Sequence, residues 1–160
     1  MKEIIISKIK DEFVGICLDY GLFANTIVHK SEEDALRDLA SKVTINKYFV
    51  KETEYAKIIY DLWYANNLTS NEIIINYSGF SEKEIRVLEK LRSIETPITY
   101  KKLSHLCNIE RGARFIGNVM KKNRCPLVIP CHRVVRSDKI GNYQYGTFIK
   151  KMILERETKK

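Results

Sequence analysis

The composition of this chain shifts at residues 77–81, and that shift limits the possible folds more than any other feature. Upstream of it, apolar residues alternate with the two-residue period of β-strands, in short runs over 4–9, 13–19 and 23–29. Downstream, they recur at the three- and four-residue spacing of helices. Two such regimes within 160 residues predict an α+β protein with two small domains, 1–77 and 78–160.

The first domain is predicted to be a small α/β unit. Its three apolar runs predict a three-stranded antiparallel sheet, with a hairpin turn at 19–21. Ser31 is a candidate N-cap for one helix, and a second helix is predicted over 52–66. A short strand is predicted over 72–77, at the end of this domain.

The second domain is predicted to be mostly helical. Ser81 and Glu84 have the spacing of a capping box ahead of its first helix. A second helix begins after Pro97, and a basic third helix, over 111–123, follows a short break. Two short helices with a tight break predict a helix-turn-helix, so we expect a winged-helix-like domain, closed by a helix over 147–157.

Charge is distributed unevenly between the two halves. Residues 1–75 carry 9 basic and 12 acidic side chains, whereas residues 76–160 carry 19 basic and 8 acidic ones. This bias indicates either a polyanion-binding surface in the second half or a solvated, lysine-rich face. The charge pattern alone does not separate these two interpretations.

Several functional classes are disfavoured. No apolar run approaches 18 residues, so no transmembrane helix and no membrane partner are expected, and the N-terminus lacks the pattern of a signal peptide. None of the four cysteines forms a C-x-x-C pair, which indicates reduced thiols in an intracellular protein. The seven Cys and His residues lack the usual zinc-ligand spacing, so no metal site is expected.

The stretch P-L-V-I-P-C-H-R-V-V-R-S-D at 126–138 places Cys131 directly beside His132 in apolar surroundings. A thiol attacks as the thiolate, and at an unperturbed pKa of roughly 8.5 only a few per cent is ionised at neutral pH. A neighbouring imidazole that accepts the proton, directly or through water, removes this limit. The plain alternative is a buried structural cysteine beside a surface histidine.

The wider context resembles one protein family. I-P-C-H-R-V-V at 129–135 is similar to the active-site signature of the O6-alkylguanine-DNA alkyltransferases, also called methylated-DNA–protein-cysteine methyltransferases. Further stretches that fit the family are I-T-Y-K-K-L at 98–103, A-R-F-I-G-N-V-M-K-K-N at 113–123, G-N-Y at 141–143 and L-E-R-E at 154–157. The resemblance covers about residues 80–157, and over the first 75 residues it is only architectural.

The resemblance implies that Cys131 accepts an alkyl group from O6 of guanine, once per molecule and without a cofactor. It implies that His132 is a water-mediated base, that Glu157 orients this imidazole, and that Asn123 braces the turn before the active-site segment. Tyr100 would aid rotation of the base and could protonate the departing guanine. Without the resemblance to this family, Glu157 would be interpreted as a solvated helix carboxylate and Asn123 as a turn or helix C-cap residue.

The implied partner is double-stranded DNA containing O6-alkylguanine, bound in the minor groove with the damaged base swung out. Arg114 matches the family's arginine finger, which fills the gap left by the base, although an ordinary phosphate contact is the alternative. Further DNA contacts are implied for Gly112, Ala113, Lys121 and Arg133.

The implied base pocket involves Met120, Val134, Tyr143, Gln144 and Tyr145. Met120 and Tyr143 could equally be core residues, whereas the backbone at Val134 and Gln144 would bond the guanine. Tyr145 stands where relatives often have glycine, which predicts a pocket that is narrower or differently lined, and Glu95 replaces another common glycine.

Two other functions are compatible with parts of this pattern. One is a non-catalytic helix-turn-helix protein that only binds alkylated DNA, which the Cys131–His132 pair argues against. The other is a cysteine hydrolase, for which no oxyanion-hole signal is found. We expect a monomer in the cytoplasm, or in the nucleus of a eukaryote.

Overall fold

The computed structural model describes residues 1–160 and has an α+β fold. Its Cα packing defines two units, one formed by 1–78 with 124–128 (unit 1) and one by 79–123 with 129–160 (unit 2). The sequence had assigned the short segment 124–128 to the second domain, whereas the structure groups it with the first. No helix is both long and apolar enough to span a bilayer.

The sheet of unit 1 has four strands: β1 (Glu3–Ile9), β2 (Glu12–Leu18), β3 (Leu22–Asn25) and β4 (Phe49–Val50), in the order β3-β2-β1-β4. The first three are antiparallel neighbours, as the alternating pattern predicted. The fourth is a two-residue edge strand parallel to β1, so the prediction of three strands was wrong. A two-residue strand has no detectable period, which explains why the sequence did not reveal it.

Two helices complete unit 1: α1 (Glu32–Ala40) and α2 (Glu54–Trp63). Ser31 and Thr53 cap them, because each side-chain oxygen accepts a hydrogen bond from a backbone amide in the first turn. A cluster of buried apolar side chains fixes α1 to the sheet, and its members are Ile4, Ile6, Cys17, Ala24, Ala35, Leu39 and Val43.

The strand predicted over 72–77 is absent. Only an isolated bridge joins Leu22 to Ile75, and Ile73 is buried while Ile74 is exposed. The third strand also ends at Asn25 rather than at residue 29. Asn25 is the last residue of β3 that pairs with β2, opposite Ile16. Its backbone amide donates to the Arg124 carbonyl and its side-chain amide donates to the Pro126 carbonyl.

The segment 124–128 is bound within unit 1 by specific hydrogen bonds. The Arg124 guanidinium donates to the carbonyls of Phe23, Asn76 and Ser78. At the other end, the Ser70 hydroxyl donates to the carbonyl of Val128 over 2.9 Å. The chain therefore leaves the first unit at Val128, only three residues before Cys131.

Unit 2 contains four helices: α3 (Glu82–Arg92), α4 (Tyr100–Leu106), α5 (Ala113–Lys122) and α6 (Thr147–Thr158). The predicted capping box is present at the start of α3, between Ser81 and Glu84. Two short parallel strands, β5 (Ile98–Thr99) and β6 (Val134–Val135), pair just before α4 and just after Cys131. This pairing places the start of α4 close to the segment that carries the candidate nucleophile.

The turn between α4 and α5 is built around Ser104. Its hydroxyl donates to the Ile109 carbonyl and accepts a hydrogen bond from the Gly112 amide. A Cβ atom at Gly112 would collide with Ile109 and with the Ser104 hydroxyl. Glycine is therefore required here for close approach of the backbone, and this contact fixes how α5 follows α4.

Candidate active site

Cys131 begins a single turn of 3₁₀ helix, Cys131–Arg133, which follows Pro130 and leads into β6. Residues 125–134, which include Cys131, are all buried, and Arg124 just before them is half-buried. The segment therefore lies in the interior, as its apolar composition predicted. Cys131 itself is 5% exposed, and this remaining surface faces a cavity. The thiol is thus protected from bulk solvent but reachable from one side.

The cavity has a volume of about 670 Å³, which is in the range of small-molecule sites. Its walls come from the start of α4, from α5, from the residues after β6 and from the loop before α6. The lining residues are Thr99, Tyr100, Lys101, Ala113, Gly117, Met120, Lys121, Cys131, Val135, Arg136, Ser137, Asn142, Tyr143 and Gln144. The structure therefore brings Tyr100, Met120, Tyr143 and Gln144 around Cys131.

Burial raises the pKa of the Cys131 thiol, because a thiolate in an apolar environment loses its hydration. Three side chains oppose this effect and favour the thiolate: Asn123 by a hydrogen bond, Lys150 by its charge and Gln144 by a hydrogen bond. The Gln144 amide nitrogen lies 3.9 Å from the sulfur. Burial raises the pKa of the Tyr100 phenol, and negative charge on the nearby Cys131 sulfur raises it further.

His132 is oriented by a carboxylate. Its Nε2 lies 2.7 Å from Glu157 Oε1, and because a carboxylate only accepts, the neutral ring carries its proton on Nε2. Burial lowers the pKa of His132, against the opposing effect of Glu157, so the imidazole is neutral at pH 7. Nδ1 is then a proton acceptor, and it is buried without a hydrogen-bond partner.

Arg133 corrects the expectation that it contacts DNA. Its side chain is 1% exposed, and its guanidinium donates to both oxygens of Glu157 and to the Ile94 carbonyl, at 2.6–3.1 Å. Burial alone would raise the pKa of Glu157, but hydrogen bonds from His132 and Arg133 hold it below its usual value. A buried carboxylate requires such a counter-charge, and Arg133 supplies it.

Asn123 ends α5 with an extended backbone and is 3% exposed. Its side-chain amide donates to the Ile129 carbonyl over 3.0 Å, which bridges the two ends of the segment 124–128. The same side chain is a hydrogen-bond partner of the Cys131 thiol. The predicted bracing position and the predicted C-cap position thus coincide.

Lys150 is a component of the site that the sequence analysis missed. It is fully buried in α6, and its ammonium donates to the carbonyls of Val134, over 2.6 Å, and Asn142, over 3.0 Å. Burial lowers its pKa to about 8, with Cys131 acting in the opposite direction. One signal was present, since residue 150 shares a helical face with the apolar residues Ile153 and Leu154.

Two predicted pocket residues do not line the cavity. Val134 is fully buried, its carbonyl accepts the Lys150 hydrogen bond, and Val135 takes its place in the wall. Tyr145 packs on Tyr143 instead, with 5.6 Å between the ring centroids. The exchange of Val134 for Val135 follows from strand geometry, since successive residues of an extended segment point to opposite sides.

The other predicted DNA contacts lie on or next to α5. Arg114, Ala113 and Lys121 are exposed, and the latter two also line the cavity. Gly112 is buried with its amide bound to Ser104, so its role is to shape the turn rather than to offer a surface. No group of three metal-binding side chains is close enough to hold an ion.

Comparison with known proteins gives consistent matches. The family model for the 6-O-methylguanine DNA methyltransferase DNA-binding domain matches residues 82–159. The methylated-DNA–protein-cysteine methyltransferase of Methanocaldococcus vulcanius is 31% identical over 160 residues, covering 96% of each chain. The solved O6-methylguanine DNA methyltransferase of Methanococcus jannaschii is 31% identical with a TM-score of 0.64, over 95% of this chain and 92% of that one. Mycobacterium tuberculosis OGT in complex with DNA has a TM-score of 0.76 at 16% identity, over 98% and 93%, and shows the shared fold.

Proposed function

The chain belongs to the methylated-DNA–protein-cysteine methyltransferase family, and from this membership we propose that Cys131 accepts a single alkyl group from O6 of guanine in DNA. The activity is thus DNA repair by alkyl transfer to the protein itself. The observation that supports this assignment most directly is the position of the Cys131 sulfur in the wall of a cavity, beside a histidine whose free ring nitrogen is an acceptor.

The transfer begins with loss of the thiol proton. We propose that His132 Nδ1 takes it through one bridging water, which would also satisfy the only hydrogen-bonding atom of this ring that lacks a partner. Glu157 stabilises the imidazolium that results. The ammonium of Lys150 and the amides of Asn123 and Gln144 stabilise the thiolate during this step.

The thiolate then attacks the alkyl carbon on the side opposite O6. A C–S bond forms, the C–O6 bond breaks, and its electron pair stays on the guanine oxygen. The guanine takes up one proton, for which the Tyr100 hydroxyl in the cavity wall is a suitable donor. The thioether has no leaving group that water could displace, so each molecule reacts once.

Access to O6 requires that the damaged base leaves the duplex, because the base stack covers it. The cavity of about 670 Å³ is large enough for a purine, with Met120 and Tyr143 as its candidate walls. We propose that α4 and α5 act as the helix-turn-helix, that α5 enters the minor groove, and that exposed Arg114 fills the gap in the stack. A neighbour of the same fold was solved in complex with DNA, which supports DNA binding as such.

The proposed partner is duplex DNA that contains O6-methylguanine or another small O6-alkyl adduct. We propose that one molecule acts alone, since every residue of the proposed mechanism lies in unit 2 of a single chain. We also propose action in the cytoplasm, or in the nucleus in a eukaryote.

A labelled-lesion experiment tests the function. Duplex DNA carrying radiolabelled O6-methylguanine is incubated with the protein, and the label on Cys131 is counted after digestion. We expect one methyl group per molecule, none for Cys131→Ala, and DNA affinity for that variant within tenfold of the wild type. Cys107→Ala is the matched control, because Cys107 is another buried thiol that does not line the cavity.

The same experiment separates the two alternatives. Tight binding of the lesion without label on the protein would indicate a non-catalytic sensor of alkylated DNA. Repeated turnover, with methyl product accumulating beyond one per molecule, would indicate a cysteine hydrolase. Either result would overturn the proposed transfer.

A further inference from the structure

Gln144 occupies a fixed turn at the mouth of the cavity. The Gly146 amide donates to the Tyr143 carbonyl over 3.0 Å, which closes a four-residue turn with Gln144 as its second member. The neighbouring carbonyl of Asn142 is held by the buried Lys150 ammonium. The backbone of this turn is therefore anchored on both sides of Gln144, although the residue itself is exposed.

The side chain of Gln144 points from this turn into the site. Its Nε2 lies 3.9 Å from the Cys131 sulfur, and the residue lines the cavity. Asn123 and Lys150 also stabilise a thiolate, but both are buried and neither lines the cavity. Among these three groups, Gln144 alone adjoins both the sulfur and the space that a substrate must occupy.

The geometry of in-line displacement determines what the Gln144 amide can contact during alkyl transfer. In an in-line attack the sulfur, the alkyl carbon and the leaving oxygen lie on one line, with the sulfur roughly 3–3.5 Å from the carbon before reaction. The leaving oxygen then lies in the cavity, one C–O bond further from the sulfur. An amide that reaches the sulfur from the cavity mouth can reach this oxygen by rotation of its side chain.

We propose that the Gln144 side-chain amide is a catalytic hydrogen-bond donor that serves the sulfur before transfer and the leaving guanine oxygen during it. This inference rests on the proposed function, which supplies the oxygen. Negative charge moves from sulfur to O6 as the C–S bond forms and the C–O6 bond breaks. A donor aimed at the atom where charge develops lowers the barrier, whereas a donor to the sulfur alone stabilises only the starting thiolate.

The test compares two electrophiles that differ in their leaving groups. Iodoacetamide alkylates a thiolate with loss of iodide, which needs no hydrogen-bond donor, whereas O6-methylguanine releases an oxygen that does. Gln144→Met keeps the length of the side chain and the backbone amide but removes the side-chain donor. Lys139→Met is the matched control, since Lys139 is an exposed residue of the same loop outside the cavity lining.

Single-turnover methyl transfer from duplex DNA is measured with saturating protein, and iodoacetamide alkylation of Cys131 is followed from pH 5 to 10. For Gln144→Met we expect methyl transfer to slow about 100-fold, the lower end of the loss seen when one oxyanion-hole donor is removed. The limiting iodoacetamide rate at high pH should change less than about threefold, with the midpoint shifted to higher pH. Lys139→Met should match the wild type in both reactions.

Equal slowing of both reactions by Gln144→Met would overturn the inference, because it would mean that the amide acts only through the thiolate. Unchanged methyl transfer would overturn it as well. A wild-type protein that reacts with iodoacetamide but takes no methyl group from DNA would instead refute the proposed function. Because Gln144 is exposed, the variant should melt within a few degrees of the wild type, and this control excludes misfolding.

Discussion

Glu157 holds two neighbouring side chains with one carboxylate. His132 donates to it through Nε2, and Arg133 donates to it through the guanidinium. The first bond sets which nitrogen of the imidazole is the acceptor, and the second balances the buried negative charge. The orientation of the His132 imidazole and the stability of the fold therefore depend on the same side chain, that of Glu157.

Glu157→Gln should therefore lower both stability and reactivity. The variant leaves the buried Arg133 without a counter-charge, which costs about 3–5 kcal/mol of unfolding free energy in comparable buried pairs. Its amide can also donate to Nε2, which would move the imidazole proton to Nδ1 and slow alkylation of Cys131 at neutral pH. Urea denaturation and iodoacetamide kinetics measure the two effects.

The control is Glu155→Gln, because Glu155 is exposed and should change stability by less than about 0.5 kcal/mol. The pKa of Glu157 is below its usual value of 4.5 in the folded state, so its contribution is present above that pH and is lost as the pH falls below it. The wild type should thus lose more stability than Glu157→Gln on acidification from pH 5 to 3. An equal loss would contradict the assigned ion pair.

At the scale of single residues, sequence reasoning located the segment of the candidate site because a Cys-His pair in apolar context is chemically distinctive. It missed Lys150 and misassigned Arg133, because lysine and arginine are ordinarily exposed and nothing local marks a buried one. Their burial depends on carbonyls and a carboxylate that are distant in sequence. Only the tertiary structure brings these partners together.

At the scale of elements, the turn between α4 and α5 depends on one glycine. Gly112 approaches Ser104 and Ile109 so closely that no side chain fits, and its amide completes the hydrogen-bond pair of the Ser104 hydroxyl. The start of α5 is thereby fixed against α4, and the exposed residues of α5 are presented in a defined direction.

Gly112→Ala should therefore lower the unfolding free energy by about 1–3 kcal/mol, as is usual for overpacked sites. Gly117→Ala is the matched control within α5, since its added Cβ would meet only Tyr100, at 4.0 Å, and alanine should stabilise the helix by about 0.5–1 kcal/mol. Thermal and urea unfolding of both variants measure this difference. Destabilisation of equal size at the two glycines would refute the steric argument.

The predicted elements follow the structure where a segment is long and periodic. The first helix of unit 2, for which a capping box at Ser81 and Glu84 was predicted, spans Glu82–Arg92. The basic helix predicted over 111–123 spans Ala113–Lys122. The predictions that fail concern segments that are short or that depend on residues distant in sequence. The strand β4 has only two residues, and the strand predicted over 72–77 makes only one bridge. Such segments are set by pairing with distant residues, which single-sequence patterns do not encode.

At the scale of the whole molecule, the two halves of the chain differ in net charge. The first 75 residues carry more acidic than basic side chains, and the remainder carry 19 basic and 8 acidic ones. The exposed Lys121 and the exposed Lys101 lie at the cavity wall, where a DNA backbone would run in the proposed complex. Electrostatic attraction should therefore come mainly from the second half.

Lys121→Gln should weaken binding to damaged and undamaged duplexes by a similar factor, because a phosphate contact carries no base information. The slope of log K against log salt concentration should become shallower by about 0.9, the value for one neutralised phosphate. Lys57→Gln is the control in unit 1, and its slope should equal that of the wild type. Fluorescence anisotropy over a salt series gives both slopes, and a change for Lys57→Gln would contradict this assignment.

The return of residues 124–128 to unit 1 has a consequence for proteolysis of the protein and for recombination of its gene. The polypeptide passes from one unit to the other three times, so after a protease nick at residues 77–81 the segment 124–128 would belong to one fragment while it packs in the unit formed by the other. Neither unit corresponds to an uninterrupted stretch of gene, and recombination cannot exchange one as a cassette while it leaves the other intact. The two halves are therefore bound to evolve together.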